Sequence, residues 1–236
     1  MPNITYPAST GRLRGYLAAP SSGGPWPGVV VLHEAFGLTD DIRRQADRFA
    51  TNGYLAFAPD LLSYGLAPRC LVTTFRTLFK QAGGRAIEDI DAARDYLLEH
   101  DECTGKVGVI GFCMGGGFAI LAAARGFDVA APNYGIVPNN VDTVLAQSCP
   151  MIASYGAKDR TMKAAAAKLE RALSVHGIEH DVKEYPDAGH AFMTGHTGNW
   201  TFAEWIPGMG YVAGAADDAW QRVFGFFDRQ LRPVPR

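Results

Sequence analysis

Short apolar runs alternate along the chain with longer stretches in which apolar residues recur at helical spacing. Residues 28–32 read Gly-Val-Val-Val-Leu, and an uninterrupted β-branched run is typical of a strand buried on both faces. Further strands are predicted at 54–58, 106–110, 150–155 and 180–185, where short segments alternate with the helical stretches. Helices are predicted from Thr39 or Asp40 to Phe49 and over 85–99, 114–125, 161–176 and 215–231.

Strand and helix alternation of this kind predicts a mainly parallel sheet with helices on both faces, the α/β class. No repeat or Gly/Ser linker divides the 236 residues, so we expect a single domain over 1–236. Residues 59–84 and 186–214 are poorer in regular pattern and contain Gly, Pro and aromatic residues. They are predicted to be loops over the strand ends, where ligands bind in open α/β sheets.

Composition narrows the functional classes. Hydrophobic residues make up 47% and charged residues 19% of the chain, which is typical of a globular protein. The formal net charge of -2, without any basic run, argues against nucleic-acid or acidic-membrane partners. Neither a signal-peptide pattern nor an apolar stretch of about 20 residues is present. We therefore expect a cytoplasmic protein with a small-molecule partner; the oligomeric state is open, and a monomer fits.

The four cysteines are scattered and form no Cys-x-x-Cys pair, which argues against a zinc site or a disulfide framework. Cys113 lies in Gly-Phe-Cys-Met-Gly-Gly, between the strand 106–110 and the helix 114–125. This is the nucleophile-elbow arrangement of α/β-hydrolases, with cysteine in place of serine. Gly111 and Gly115 remove side chains that would clash in so sharp a turn. The helix N-terminus favours a thiolate, and the Met114 N–H is an expected oxyanion donor.

Two other interpretations of this turn are a buried structural cysteine and a phosphate-binding glycine loop. The segment lacks the Lys-Ser/Thr of a P-loop and the full Gly-x-Gly-x-x-Gly pattern. The flanking strand and helix therefore favour a catalytic cysteine.

A thiol nucleophile needs a base, and one histidine oriented by a carboxylate serves as both base and acid. The elbow fold expects the chain order nucleophile, carboxylate, histidine. Asp159 follows the strand 150–155 and His190 follows the strand 180–185, so both are predicted at the same sheet edge as Cys113. The sequence thus predicts a Cys113–Asp159–His190 triad.

Alternatives exist for both partners. Asp159 is also suited to cap the helix predicted near Thr161. His33 and His196 compete with His190, although His33 precedes the nucleophile and His196 lies deeper in the irregular loop. Asp187 is a rival carboxylate that is better placed to shape the turn before His190.

The segment after strand 28–32 reads His33-Glu34-Ala35-Phe36-Gly37. In this fold the loop at this place supplies the second oxyanion N–H, which makes Ala35 or its neighbour the expected donor. A glutamate beside the nucleophile would oppose thiolate formation by charge repulsion. The alternative for Glu34 is a cap for the helix after Thr39.

Together, the His33-Glu34 loop, the Gly-x-Cys-x-Gly-Gly turn, Asp159 and the Gly-His-Ala-Phe segment at 189–192 resemble the dienelactone hydrolase family. The resemblance runs from about residue 14 to 231. It implies a small α/β-hydrolase without a large lid, with a Cys-Asp-His triad and a glutamate that contacts the resting cysteine. On this resemblance Cys113 is the nucleophile, His190 the base, Asp159 its orienter and Glu34 the resting-state partner. The amides of Ala35 and Met114 would form the oxyanion hole.

One departure bears on the substrate. Family members that open dienelactone bind its carboxylate with arginines, one of them shortly after the catalytic histidine, where this chain has Met193. Methionine cannot form the bidentate pair that a carboxylate prefers, although Arg69, Arg76 or Arg85 remain candidates for the other arginine. An apolar pocket is predicted instead, and its candidate residues are Phe36, Tyr64, Phe112, Tyr134, Met193, Trp200 and Trp205. The alternative for each of them is packing in the hydrophobic core.

These observations predict a carboxylic ester hydrolase that cleaves a small ester or lactone through an acyl-enzyme, with dienelactone itself an unexpected substrate. No metal or organic cofactor is implied. The alternatives are a thioesterase or acyltransferase, and a non-catalytic α/β-hydrolase relative that binds a ligand or protein.

Overall fold

The computed structural model describes residues 3–8, 11–21, 23–63, 84–195 and 209–232. Within these residues eight strands form one sheet. They are β1 (Asn3–Ala8), β2 (Gly11–Ala18), β3 (Trp26–Leu32), β4 (Leu55–Pro59), β5 (Cys103–Phe112), β6 (Val129–Asn133), β7 (Met151–Gly156) and β8 (His180–Tyr185). Their order across the sheet is β1-β2-β4-β3-β5-β6-β7-β8.

The sheet is parallel from β4 to β8, whereas β1 and β2 form an antiparallel edge. This confirms the prediction of a mainly parallel sheet. All seven residues of β3 are buried, as its β-branched run indicates. Because β3, β5, β7 and β8 run in one direction, the loops that follow them meet at one edge of the sheet.

Helices cover both faces, as predicted. They are α1 (Asp40–Thr51), α2 (Arg85–Leu98), α3 (Met114–Ala122), the short α4 (Val141–Val144), α5 (Ala165–Val175) and α6 (Ala213–Leu231). Buried residues of α1 and α6 share one core cluster, and those of α2, α3 and α5 share the other. Of the helices in the described part of the chain, none has the length and apolar character to cross a membrane.

Helix boundaries agree with the prediction for α1 and differ for two others. The Thr39 hydroxyl accepts a hydrogen bond from the Ile42 N–H at 3.4 Å and so caps α1. The helix predicted over 114–125 ends at Ala122, because the chain turns towards Gly126, which has a φ of 81°. The helix predicted from residue 161 begins only at Ala165, because Asp159 holds the preceding residues in a turn.

Aromatic packing joins α1 to α6 on one face of the sheet. Phe49 is fully buried, and its ring centroid lies 5.8 Å from that of Trp220 and 5.2 Å from that of Phe224. Tyr54 meets the same ring edge-on at 5.6 Å. Edge-to-face pairs of this kind add to the free energy gained by burying the rings.

We predict that Phe49→Ala lowers the free energy of unfolding by about 3–5 kcal/mol, because it leaves a cavity between α1, α6 and the sheet. Urea denaturation followed by circular dichroism measures the change. Val175→Ala is the control: Val175 is 67% exposed and should change stability by less than about 0.5 kcal/mol. Equal effects in the two variants would contradict this account of the core.

Candidate active site

Cys113 lies at the turn between β5 and α3, with φ 53° and ψ −112°. Positive φ is uncommon for a residue with a side chain, and such strain persists only where the surroundings impose it. Here the Cys113 N–H donates to the Asn133 carbonyl at 3.1 Å, and the Cys113 carbonyl accepts from the Gly117 N–H at 3.2 Å. The local structure is therefore the strained elbow that the sequence predicts.

Close backbone contacts explain the glycines on either side of Cys113. A Cβ atom on Gly111 would overlap the Gly115 carbonyl, and one on Gly115 would overlap the Leu32 carbonyl and crowd that of His33. The start of α3 thus rests directly against the end of β3. This contact places the His33-Glu34-Ala35 loop beside the nucleophile turn.

His190 and Asp159 form a buried pair. Their side-chain atoms His190 Nδ1 and Asp159 Oδ2 are 2.6 Å apart, and the residues are 8% and 4% exposed. Because an ionised carboxylate only accepts, Nδ1 carries the proton and Nε2 is left unprotonated in the neutral ring. The backbone brings the two loops together, since the Lys158 N–H donates to the Ala188 carbonyl at 2.9 Å.

The electrostatics of the pair follow from burial and hydrogen bonding. Burial lowers the pKa of His190, but hydrogen bonds and charge from Asp159 and Cys113 outweigh it and raise the pKa to about 10. Burial raises the pKa of Asp159, and its bonds to His190 and Thr161 reverse this and hold that pKa low. The ionised aspartate therefore stabilises the imidazolium form of His190, which is the form produced when the ring takes up a proton.

The alternative roles for the carboxylates are now distinguishable. Asp159 Oδ1 accepts from the Thr161 N–H at 2.9 Å and hydroxyl at 2.6 Å, so Asp159 shapes a turn as well as orienting His190. It does not cap a helix at Thr161, because α5 begins at Ala165. Asp187 is exposed and pairs with Lys158 at 3.3 Å.

His33 is fully buried, and both of its ring nitrogens bond to the backbone. Nδ1 lies 2.5 Å from the Glu34 carbonyl oxygen, and Nε2 accepts from the Leu61 N–H at 3.0 Å. These bonds leave no nitrogen to act as a base. The other competitor, His196, lies outside the described residues.

Glu34 is buried beside the same centre rather than capping α1. Its Oε1 accepts from the Thr194 hydroxyl at 3.0 Å, and the Thr194 hydroxyl is also 3.2 Å from that of Tyr134. Burial raises the pKa of Tyr134 well above its usual range, and the charges of Glu34 and Cys113 add to this. Glu34 and Cys113 therefore both lie near the Tyr134 hydroxyl.

Thr194 is the site residue that the sequence interpretation missed. Its hydroxyl faces Glu34 from the loop after His190, whereas Met193 is the residue singled out there. The signal in the sequence was a polar residue directly after the apolar segment 191–193. That signal indicates burial with a partner, and it does not name the partner.

The expected oxyanion donors are Ala35 and Met114. Their backbone N–H groups have no hydrogen-bond acceptor among the residues that the structure describes. The Met114 N–H belongs to the first residue of α3, where helix N–H groups lack an intrahelical partner. Within the described part of the chain, neither N–H group is taken by an internal acceptor.

The candidates for the apolar pocket lie in different surroundings. Phe112 is fully buried against Trp220 and Tyr134, with ring centroids 5.9 and 6.2 Å away, which favours core packing over substrate contact. The Tyr134 ring packs edge-on against the His190 ring at 5.2 Å and braces it. Phe36 is half-buried beside Ala35. The candidates Tyr64, Trp200 and Trp205, like Arg69 and Arg76, lie outside the described residues.

Met193 is buried at 1% exposure and borders a crevice of about 290 Å³ between α1 and the loop after His190. The lining residues are Asp41, Arg44, Gln45, Arg48, Met193, Gly195 and Tyr211. Arg44 bonds to Asp41 at 2.9 Å and to the Gly195 carbonyl at 3.3 Å. Arg85, another arginine candidate, sits on α2 at 3.7 Å from Asp89.

A sequence profile described as the Dienelactone hydrolase family matches residues 13–231. This chain belongs to the dienelactone hydrolase family. The match spans the elbow, the Asp159 loop and the His190 loop, so it covers every part of the candidate site. This confirms the resemblance predicted from the motifs.

Individual relatives agree with the family. A Yersinia pestis protein named "Putative carboxymethylenebutenolidase" is 30% identical over 251 residues, covering 98% of this chain and 90% of that protein. A solved dienelactone hydrolase-like promiscuous phosphotriesterase from metagenomic libraries has a TM-score of 0.78 at 25% identity, with 97% of each chain covered. A dienelactone hydrolase from Anabaena variabilis, 20% identical with 98% of each chain covered, shares the fold at a TM-score of 0.73. This family member is thus a hydrolase of the dienelactone-hydrolase type.

We predict that Asp159→Asn lowers the pKa of His190 relative to the unmodified chain. The substitution removes both a hydrogen bond and a negative charge that favour the imidazolium. An NMR titration of the His190 ring measures this, with His190→Gln identifying its resonances. The matched control is Asp187→Asn, an exposed carboxylate three residues before His190 that should leave the titration unchanged. An unchanged midpoint in Asp159→Asn would show that the pair does not set the charge of the ring.

Proposed function

We propose that this family member hydrolyses a small uncharged ester or lactone through a thioester intermediate on Cys113. The observation that carries the proposal is the buried His190–Asp159 pair at 2.6 Å, with Cys113 as the second partner of the ring. A nucleophile, a base and an orienting carboxylate in this contact are the requirements of acyl transfer.

In the first half-reaction the Cys113 sulfur attacks the carbonyl carbon, and His190 holds the thiol proton. The carbonyl π electrons move to oxygen and form a tetrahedral oxyanion, to which the Ala35 and Met114 amides donate hydrogen bonds. When the oxyanion collapses, the C–O bond to the alcohol breaks. The alcohol leaves with the proton from His190, and the acyl group stays on sulfur as a thioester.

In the second half-reaction His190 takes a proton from a water molecule, which attacks the thioester carbonyl. A second tetrahedral oxyanion forms and collapses with cleavage of the C–S bond. The thiol recovers its proton from His190 and the carboxylic acid departs. Asp159 keeps the ring in the tautomer that both halves require, because its carboxylate accepts from Nδ1.

The preference for uncharged substrates rests on the groups around Cys113. Glu34 places a buried carboxylate near the thiol, and its partner from the loop after His190 is the neutral hydroxyl of Thr194. Met193 offers no cation either. A substrate carboxylate brought beside Glu34 would meet like charge, whereas Arg44, in the crevice next to Met193, already bonds to Asp41.

We predict that Cys113→Ala reduces hydrolysis of a short activated aryl ester by at least about 10³-fold, because the nucleophile is lost. The control is Cys103→Ala, which removes a half-buried thiol at the opposite end of β5 and should retain activity. Circular dichroism shows whether both variants are folded.

Equal turnover in Cys113→Ala and Cys103→Ala would contradict the cysteine mechanism. A folded, unmodified chain without activity on any ester, lactone or thioester would instead favour a non-catalytic binding protein. Faster turnover of acyl thioesters, or transfer of the acyl group to an added alcohol, would favour a thioesterase or an acyltransferase.

We predict that kcat/KM is at least about tenfold higher for a neutral ester than for its partner in which a distal methyl ester is replaced by a free carboxylate. The pair is compared at one pH and ionic strength, so that only the charge of the substrate differs. Glu34→Gln should reduce the difference in kcat/KM between the two esters, because it removes the negative charge that opposes the carboxylate. A preference for the anionic ester would overturn the proposal and implicate the arginines of the crevice beside Met193.

A further inference from the structure

The hydrogen bonds of His33 connect two loops at the edge of the sheet that carries the site. His33 follows β3, and its Nδ1 lies 2.5 Å from the Glu34 carbonyl oxygen. Leu61 follows β4, the parallel neighbour of β3, and its N–H donates to His33 Nε2 at 3.0 Å. The ring therefore links the loop that holds Glu34 and Ala35 to the loop that follows β4.

The partners of the ring determine its tautomer. A carbonyl oxygen can only accept, so Nδ1 must carry a proton; an amide N–H can only donate, so Nε2 must be unprotonated. His33 is thus a neutral imidazole with its proton on Nδ1. Burial agrees with this, since it lowers the pKa of His33 despite the opposing effects of the Glu34 carbonyl and Asp60.

The Glu34 carbonyl and the Ala35 N–H belong to the same peptide group. In a trans peptide the C=O and N–H bonds point in opposite directions within one plane, so holding the carbonyl also holds the N–H. The Glu34 carbonyl receives the short bond from His33 and a longer one, 3.4 Å, from the Gly37 N–H. The Ala35 N–H on the other side of this peptide has no acceptor among the described residues.

We propose that His33 is a positioning residue of the oxyanion hole: its Nδ1–H fixes the Glu34–Ala35 peptide so that the Ala35 N–H points at the developing oxyanion. This inference rests on the proposed function, because it assigns a part of the same acyl transfer. Preorganised donors stabilise a transition state because they need not reorient as charge develops. In this proposal His33 holds the peptide in place and does not itself contact the substrate.

The test uses two substitutions that each retain one of the two bonds. In His33→Asn the side-chain amide NH2 lies near the place of Nδ1 and can still donate to the Glu34 carbonyl. In His33→Gln the side-chain amide oxygen lies near the place of Nε2 and can still accept from the Leu61 N–H. Each variant loses one buried hydrogen bond, so we expect the two substitutions to destabilise the fold to a similar extent.

We expect kcat in His33→Gln to fall by about 10²-fold or more, as for the loss of one oxyanion donor, with KM little changed. His33→Asn should stay within about tenfold of the unmodified chain. A trifluoromethyl ketone that resembles the acyl group and adds to the thiol provides a second readout. Its inhibition constant should rise in His33→Gln in parallel with the loss of kcat/KM.

If His33 had a purely structural role, kcat would fall equally in both variants, and the ratio of ketone affinity to KM would stay unchanged. Either result would overturn the inference. The rate at which iodoacetamide alkylates Cys113 should be similar in the two variants, because alkylation uses no oxyanion hole. A large loss of alkylation in His33→Gln alone would place the defect at the thiol and also contradict the inference.

The unmodified chain offers a test that does not depend on folding of the variants. Nitrogen-15 NMR distinguishes the two neutral tautomers from the imidazolium, and we expect His33 to be neutral with its proton on Nδ1 at pH 7. A ring protonated on Nε2 could not accept from Leu61, which would overturn the inference. Full Cys113-dependent hydrolysis with such a ring would reject the role of His33 and leave the proposed function standing.

Discussion

The contact of three backbone segments beside Cys113 is the constraint on which the rest of the site depends. The end of β5, the start of α3 and the end of β3 approach so closely that neither Gly111 nor Gly115 has room for a Cβ atom. This contact forces the positive φ of Cys113 and places the thiol at the tip of the turn. It also brings the His33-Glu34-Ala35 loop next to the Cys113 turn, so a single steric constraint places Cys113, Glu34 and the Ala35 N–H near one another.

Buried polar groups around that contact are stabilised in pairs. Asp159 bonds to His190 and Thr161, Glu34 bonds to Thr194, and His33 bonds to two backbone groups. Leaving any of these groups buried without a partner would cost about 1–3 kcal/mol, and more for a charge. The arrangement thus has few low-energy alternatives, which keeps these side chains in one geometry before any ligand binds.

Cys113, Asp159 and His190 are predictable as a group from the sequence because the elbow, the parallel sheet and the chain order impose strong restrictions. Strands 106–110 and 150–155 are recognisable from apolar runs and 180–185 from its place after a helical stretch, and parallel strands bring their carboxyl ends to one edge. The ends of α3 and α5 are not predictable in this way, since alanine-rich periodicity continues through residues that Gly126 and the Asp159 turn remove from the helix. The pattern after His190 likewise favours Met193, although Thr194 is the residue that bonds to Glu34.

By itself, the sequence determined the fold class, the elbow and the sheet edge at which Cys113, Asp159 and His190 lie, because these follow from local periodicity, small residues at a sharp turn and strand direction. Only the tertiary structure decided which polar groups bond to one another. Glu34 meets Thr194 across 160 positions, and His33 meets Leu61 across 28. Such pairings depend on how loops from different strands pack, and no periodic pattern along one segment records the identity of a partner on another.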